Sequence, residues 1–145
     1  MQTIRLYTLG KSTLEYDVAV PCLIFRHIGF MDSTEFRTFL NKALELAVER
    51  KEEGEMFGWV TNLTESDAFL EEDMVWAAND FEKQAHEKGL RAVAFVLNQD
   101  AYALSSISGE IFVESSEERG SEEVKHMNFK DEESAKAWLK EVLNN

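Results

Sequence analysis

The chain has almost none of the residues that staple or interrupt small domains: its 145 residues include one cysteine and one proline. The single Cys22 excludes a disulfide within the chain, and a thiol inside an apolar segment is expected to be a small core residue rather than a nucleophile. Pro21 has no N–H to donate, so we expect it in a turn between strands. Because no Pro- or Gly-rich linker divides the sequence, it predicts a single domain over residues 1–145.

Long apolar stretches are missing as well. No apolar run approaches the ~20 residues that a membrane-spanning helix needs. The segment Met1–Arg5 lacks the basic stretch and following apolar region of a secretory signal. A chain with one cysteine also fits a reducing compartment. These absences predict a cytoplasmic protein that does not act at a membrane.

Basic residues are scarce, with 15 Lys and Arg against 28 Asp and Glu and a net charge of −13. Nucleic acids and anionic membranes are bound through Lys and Arg side chains that displace counterions. The sequence therefore predicts that neither is a partner. Solubility is the simplest explanation of the acidic surface, and attraction to a basic partner is the alternative.

What the chain does contain is core material. Hydrophobic residues make up 44% of it and aromatic residues 11%, so the fold needs no disulfide or metal for stability. The most informative segment is Ala92–Leu97, an uninterrupted apolar run between two predicted helices. A run without polar alternation is typical of a strand that is covered on both faces, which predicts an α/β domain.

Turn residues, alternation and helix caps predict the order β-β-β-α-β-α-β-α-β-α. The predicted strands are Thr3–Thr8, Thr13–Val18, Cys22–Ile28, Met56–Thr61, Ala92–Leu97 and Val124–Phe129. The four predicted helices begin near Asp32 or Ser33, Glu71, Asp100 and Asp131, and an acidic loop covers Glu114–Glu123. This order predicts a single mixed sheet, with antiparallel N-terminal strands and a parallel βαβα portion with right-handed crossovers.

No arrangement of residues indicates catalysis. The three histidines, His27, His86 and His126, are far apart and lack Cys, Asp or Glu at zinc-binding spacing. His27 and His126 fall on predicted strands and could meet across the sheet, although ordinary strand or surface positions explain them more simply. The sequence also lacks a Gly-rich phosphate loop and a nucleophile elbow. We therefore expect no catalytic residue, no metal and no cofactor.

Short motifs spread over nearly the whole chain resemble those of one known family. They are Gly29, Ser33–Phe36, Trp59–Asn62, Glu71–Trp76, and Phe129 with Ala135, Trp138 and Leu139. In this order, and with these elements, the chain resembles the small bacterial SpoIIAA-like proteins of the STAS superfamily. Most of the motifs are packing and capping residues, so the resemblance implies the fold and a non-catalytic regulatory role rather than a reaction.

In the sporulation regulators of that superfamily, a serine in an Asp-Ser-Ser-Gly turn before the second helix is phosphorylated. Aligning Asn62–Thr64 with their Asp-Leu-Ser places Leu70–Asp73 on that turn, where carboxylates replace the hydroxyls. The resemblance thus implies that this switch is absent, because acidic groups at a helix start also repel phosphate. Thr64 and Ser66 are nearby hydroxyls, which we expect to lie in a solvated loop.

Trp76 is the residue most suggestive of an interface. On a regular helix it lies roughly 160–200° from the apolar stripe that contains Met74 and Phe81. Aromatic residues on polar faces are enriched at interfaces, although Phe69 or the preceding loop could instead cover the ring. The predicted interaction surface consists of Asn62, Thr64, Glu72, Trp76 and Asp80.

The sequence leaves three hypotheses of different classes. The leading one is a non-catalytic binding or regulatory module that contacts a second copy or a regulatory protein through the start of the second helix. The alternative is a carrier of a small apolar ligand, since the related CRAL-TRIO domains share the general α/β layout. An enzyme that uses acidic residues between Asn62 and Asp73 is the third.

Overall fold

Tight turns give the sheet an antiparallel start. The structure is a computed structural model that describes residues 3–66, 71–98 and 124–144. Strands β1 (Thr3–Leu9), β2 (Ser12–Asp17) and β3 (Cys22–Gly29) pair antiparallel in that order. Gly10 adopts a φ of 61° in the first turn, which a residue without a Cβ does at no steric cost.

Three further strands extend the sheet in parallel. They are β4 (Phe57–Ser66), β5 (Leu90–Val96) and β6 (Lys125–Phe129), and the spatial order is β1-β2-β3-β4-β5-β6. All neighbours from β3 to β6 are parallel, which confirms the predicted mixed α/β sheet. Residues 92–97 are buried, and β5 lies between β4 and β6, so the apolar run forms an interior strand.

The first and last helices begin at acidic caps: Asp32 is one of the two residues predicted for the first helix, and Asp131 is the residue predicted for the last. Helix α1 (Ser33–Arg50) follows Asp32, whose carboxylate accepts a hydrogen bond from the N–H of Glu35 while the Glu35 side chain accepts one from the N–H of Asp32. This reciprocal capping satisfies two backbone donors that a helix start leaves without partners. The C-terminal helix begins in the same way, with the carboxylate of Asp131 accepting from the N–H of Ser134.

Between them lies a continuous helical rod of three parts, which we call the second rod. It consists of α2 (Glu71–Trp76), a π-helical turn (Ala77–Phe81) and α3 (Glu82–Glu87). With α4 (Glu132–Leu143), the described residues therefore contain three helical rods rather than the predicted four. The predicted helix from Asp100 and the acidic loop 114–123 lie outside the described residues.

Two of the three described rods pack on one face of the sheet, which we call the broad face, and the third packs on the opposite face, which we call the narrow face. Helix α1 and the second rod cover the broad face, whose core includes Phe25, Phe39, Trp59, Phe81 and Phe95. Of the described helices, α4 covers the narrow face, where a Cβ on Gly58 would lie only 2.8 Å from the Leu139 side chain. Cys22 belongs to this smaller core, and burial raises the pKa of its thiol, in line with the predicted structural role.

Parallel strands end at one edge of the sheet, which we call the carboxyl edge. The three described rods start there, so their N-termini and the strand ends share one region of the molecule. Each start carries its own carboxylate, from Asp32, Asp73 and Asp131. Negative side chains at these positions interact favourably with the helix dipoles.

Candidate functional site

The five residues of the predicted interaction surface lie on both faces of the sheet. Asn62 and Thr64 belong to β4, and the side chain of Asn62 points to the narrow face, where its Nδ2 donates to Oε2 of Glu132 at 2.7 Å. Glu72, Trp76 and Asp80 lie on the second rod, which covers the broad face. The structure therefore brings these three onto one helical element and separates Asn62 and Thr64 from them.

At the start of the second rod, a buried carboxylate ties it to α1. Asp73 is only 2% exposed. Its Oδ1 accepts a hydrogen bond from Nε of Arg37 at 3.1 Å, and its Oδ2 accepts one from Oγ of Ser33 at 3.0 Å. Because Ser33 and Arg37 are four residues apart on α1, both project toward the same neighbour. These contacts fix the first turn of α2 against the first turn of α1.

Trp76 lies beside this ion pair and is half-buried. The guanidinium carbon of Arg37 is 5.0 Å from the centroid of the Trp76 ring, which is a cation–π distance, and the rings of Trp76 and Phe81 are 5.7 Å apart. The sequence prediction placed Trp76 on the face away from Phe81 and was wrong. The reason is the π-helical turn, since i→i+5 hydrogen bonding makes residues five apart into neighbours.

Arg37 keeps donors for a further contact. Among the residues that the structure describes, Nε bonds to Asp73, while neither Nη nitrogen has a hydrogen-bond partner. The side chain is 39% exposed, although the ion pair and the Trp76 ring hold its guanidinium in place. Such a guanidinium can receive a carboxylate through its outer N–H groups without first having to be ordered.

An open groove adjoins Trp76. It has a volume of about 640 Å³ and lies between α1 and the second rod. Its lining includes Asn41, Leu44, Glu45, Val48, Trp76, Gln84 and Lys88. The groove therefore combines aliphatic and aromatic surface with charges on both sides.

The narrow face carries a second arginine cluster. Nε and Nη2 of Arg26 donate to the two carboxylate oxygens of Glu132 at 2.8 and 2.9 Å, and Nη1 lies 3.1 Å from Glu15. Thr64 adds its hydroxyl, which donates to Oδ1 of Asn62 at 2.7 Å. Burial disfavours a charge on Glu132, but the hydrogen bonds from Arg26 and Asn62 outweigh it and lower the pKa of that carboxyl.

The broad face encloses a small apolar cavity with a contact between Glu82 and His126 at its margin. The cavity has a volume of about 50 Å³, and it is lined by Phe25, Phe36, Leu40, Trp59, Thr61, Leu63, Ala77, Phe81, Glu82, Leu90, Val93 and Phe95. Oε2 of Glu82, a residue 2% exposed, lies 2.8 Å from Nε2 of His126. His27 and His126 do not meet, because β4 and β5 separate their strands by about 14 Å.

Comparison with known families identifies this architecture. A family profile described as SpoIIAA-like matches residues 22–140, which include β3 to β6 and most of α4. The chain belongs to the SpoIIAA-like family. A search of the curated proteins and of the solved structures found no significant match.

SpoIIAA-like domains of the STAS type are generally regulatory modules that act through protein–protein interactions, not enzymes. In this SpoIIAA-like chain, the carboxylate of Asp73 at the start of the second rod bonds Arg37 and Ser33. No cluster of three or more metal-binding side chains occurs among the described residues. None of the described helices combines the length and the apolar character required to cross a bilayer.

Sequence reasoning missed both polar pairs of the broad face of this SpoIIAA-like fold, Arg37 with Asp73 and Glu82 with His126. The spacing of Ser33 and Arg37 was a usable signal, because residues four apart on a helix share a side. Glu82 gave another signal, since it lies four residues after Ala78 and three before Ala85, two small apolar residues that are both buried. An acidic residue on that side of the helix indicates a buried charge that needs a partner.

Proposed function

We propose that this SpoIIAA-like chain is a non-catalytic regulatory module that contacts a second copy or another regulatory protein through the outer surface of the second rod. Glu72, Trp76 and Asp80 mark this surface, and Arg37 borders it. A cytoplasmic location and a single domain over residues 1–145 are part of the proposal. The observation that carries it is the ordered pair of Arg37 and Trp76 at the start of the rod.

Arg37 and Trp76 have the chemistry of an interface anchor. Tryptophan and arginine are enriched among the residues that dominate binding energy, chiefly where a neighbouring group holds them in place. Here Asp73 holds Arg37, and Phe81 supports the Trp76 ring from below. Since both side chains are already ordered, a partner that docks on them loses little conformational entropy.

The carboxyl edge argues against small anionic ligands. Many α/β folds bind phosphates at helix N-termini, where backbone N–H groups and the helix dipole favour negative charge. In this chain Asp32, Asp73 and Asp131 already occupy the three described helix starts. A phosphate at any of them would meet like charge, so recognition of nucleotides or phosphate is disfavoured.

A carrier of a small apolar ligand is the weaker candidate. The cavity on the broad face is apolar, which is the one observation in favour of such a role. Its volume of about 50 Å³ is well below the ~150 Å³ of an engineered cavity that holds benzene. A carrier would thus have to open this core before a ligand could enter. Native mass spectrometry of the purified protein tests the point, because a carrier should retain a bound apolar molecule.

The protein-contact proposal can be tested by site-specific photo-cross-linking in cells that naturally produce the protein. A photoreactive amino acid replaces Glu72 or Asp80 on the proposed surface, or Glu141 on α4 as a matched control. All three positions are exposed and acidic, so each replacement removes one negative charge. We expect protein adducts at Glu72 and Asp80 and far fewer at Glu141.

A second substitution tests whether the adducts depend on the proposed surface. Val75→Asp places a charge on an exposed side chain beside Trp76 and should leave the fold intact. It should reduce the adducts at Asp80 severalfold. Equal adducts at all three positions, or none at Glu72 and Asp80, would refute the proposal.

A further inference from the structure

The exposed side of α1 has opposite charges at two points of one stripe. Arg37, Asn41 and Glu45 are spaced four residues apart, so they lie along the same side of the helix. Arg37 and Glu45 are separated by about 12 Å along the helix axis, with Asn41 at the midpoint. Arg37 offers its two outer nitrogens at one point, and Glu45 offers an exposed carboxylate at the other.

Glu45 is available for a new contact despite one intrachain neighbour. Its Oε1 lies 3.7 Å from Nζ of Lys42, and both side chains are largely exposed. An exposed pair of this kind contributes little, because water and salt screen it. Breaking the pair of Glu45 and Lys42 so that Glu45 can bind a guanidinium therefore costs little free energy.

Apolar surface accompanies the two charges. Val48 is 37% exposed one turn beyond Glu45, and the Trp76 ring lies beside Arg37 at the other end. Both residues line the groove between α1 and the second rod. A fitting occupant therefore brings a carboxylate to Arg37 and, next to it, an aliphatic side chain to Trp76.

Helix α1 itself carries that combination, in the form of Glu45 and Val48. We propose that a second copy of this chain docks through its own α1, antiparallel to the first, about a two-fold axis that passes near Asn41. Arg37 of each copy then faces Glu45 of the other, and Val48 of each faces Trp76 of the other. A two-fold contact requires this kind of self-complementary patch. The inference goes beyond the proposed contact on the second rod, with which it shares Arg37 and Trp76, and it names a second copy as the partner.

The negative net charge of the chain limits how tightly two copies can associate. Each copy carries −13, so two copies repel each other over distances that salt screens beyond about 10 Å at 0.1 M. The two symmetry-related ion pairs are exposed and the apolar contact is small, which is typical of weak, reversible association. We expect a monomer–dimer equilibrium that depends on concentration.

Sedimentation velocity over a concentration series tests the contact with two matched variants. Glu45→Arg places an arginine opposite Arg37 of the other copy, so two attractive pairs become two repulsive ones, and Kd should rise about tenfold or more. Glu141→Arg changes the net charge by the same amount on α4, away from α1. Its Kd should stay the same or fall, because it only reduces the overall repulsion. Equal weakening by both variants would overturn the proposed geometry.

A mixing experiment tests the pairing itself. On their own, Arg37→Glu and Glu45→Arg should each dimerise more weakly than the wild type, whereas an equimolar mixture should form a heterodimer in which both contacts join opposite charges. Circular dichroism checks that Arg37→Glu folds, since this variant removes the partner of the buried Asp73. If it does not fold, Val48→Asp replaces it, and this exposed substitution should abolish the dimer while leaving the monomer folded.

The outcomes separate this inference from the proposed function. A wild-type chain that stays monomeric at every concentration overturns the second copy as partner. Cross-links from Glu72 and Asp80 to a different protein would then still support the proposed function. Conversely, a dimer that Glu45→Arg disrupts, together with no adducts at Glu72 and Asp80, supports the α1 contact and refutes a contact surface on the second rod.

Discussion

Two arginines, Arg26 and Arg37, each bind the first turn of a helix, and they differ in how many of their donors they use. Arg26 directs Nε and Nη2 to Glu132 and Nη1 to Glu15, so all three nitrogens have acidic partners. Arg37 directs Nε alone to Asp73 and rests on Trp76. The two side chains are similarly exposed, at 32% and 39%, so exposure does not distinguish them.

This difference indicates that Arg26 has a structural role, whereas Arg37 can also contribute to the recognition of a partner. Arg26 joins β2, β3 and the start of α4, and each of its three guanidinium nitrogens already contacts a carboxylate of the same chain. Arg37 is held in place by one hydrogen bond and one ring, while neither of its Nη nitrogens has a hydrogen-bond partner among the described residues. A side chain that is already ordered and has unused hydrogen-bond donors suits a binding surface, because folding has already met the conformational-entropy cost of ordering it.

The largest expected effect tests this distinction through stability. Arg26→Ala removes three charge-assisted contacts and leaves Glu132 with Asn62 and Glu15 with Arg5 as their remaining partners, so it should lower the free energy of unfolding by about 3 kcal/mol. Arg37→Ala removes one such contact and a cation–π interaction and should cost about 1.5 kcal/mol. Urea unfolding curves measure both values. Equal losses would show that the two arginines are equally structural.

A second prediction concerns Asn62, which belongs to the network around Glu132. Its Nδ2 donates to Glu132 at 2.7 Å, and an aspartate there would place two carboxylates in contact. We expect Asn62→Asp to lower the free energy of unfolding by about 2 kcal/mol at neutral pH, because a hydrogen bond becomes a like-charge repulsion. The same urea curves should show a smaller loss at acidic pH, where protonation relieves the repulsion. A loss that does not change with pH would contradict this explanation.

Glu132 also makes part of the stability depend on pH. Its pKa is lowered in the folded protein, so its contribution is fully present above the ordinary glutamate value of about 4.3 and is lost as the pH falls through the lower folded value. Glu132→Gln should therefore lower the thermal midpoint at neutral pH and make it less sensitive to acid. Glu133→Gln, on the same helix but outside the network, is the control and should keep the wild-type acid dependence. Identical acid profiles for the two variants would exclude Glu132 as a source of it.

Most of the fold follows from local signals that a sequence displays. The apolar run 92–97 predicted the interior strand, and the caps at Asp32 and Asp131 fixed two helix starts, because these effects depend on residues close in the chain. The length of β4 did not follow, since it continues to Ser66, past the predicted end at Thr61. Apart from Leu63, its last residues are polar, and they are held by pairing with β3 and by the Asn62 network, which hydrophobic patterning does not report.

The candidate site was harder to predict, because it depends on the packing of elements distant in sequence. The pair of Arg37 and Asp73 exists only because α1 and α2 start side by side at the carboxyl edge. The position of Trp76 depends on a π-helical turn, whereas the periodicity analysis assumed a regular helix. Sequence alone could select Trp76 as unusual but could not place Arg37 above its ring.

Replacing Arg37 by lysine has the smallest expected effect on stability, and comparing it with the same change at Arg26 separates the roles of the two arginines most clearly. Lysine can replace a single ion-pair contact but not a fork that engages both oxygens of a carboxylate. Arg37→Lys should cost about 0.5 kcal/mol of unfolding free energy, since an ammonium still reaches Asp73, whereas Arg26→Lys should lose most of what Arg26→Ala loses. Dimerisation should show the opposite order of effects. Arg37→Lys removes the outer N–H groups that face Glu45 of the second copy, so it should weaken the dimer. Arg26→Lys should leave the Kd of the dimer unchanged as long as the chain is folded. If both lysine variants changed stability and association in parallel, the unused donors of Arg37 would have no role in recognition.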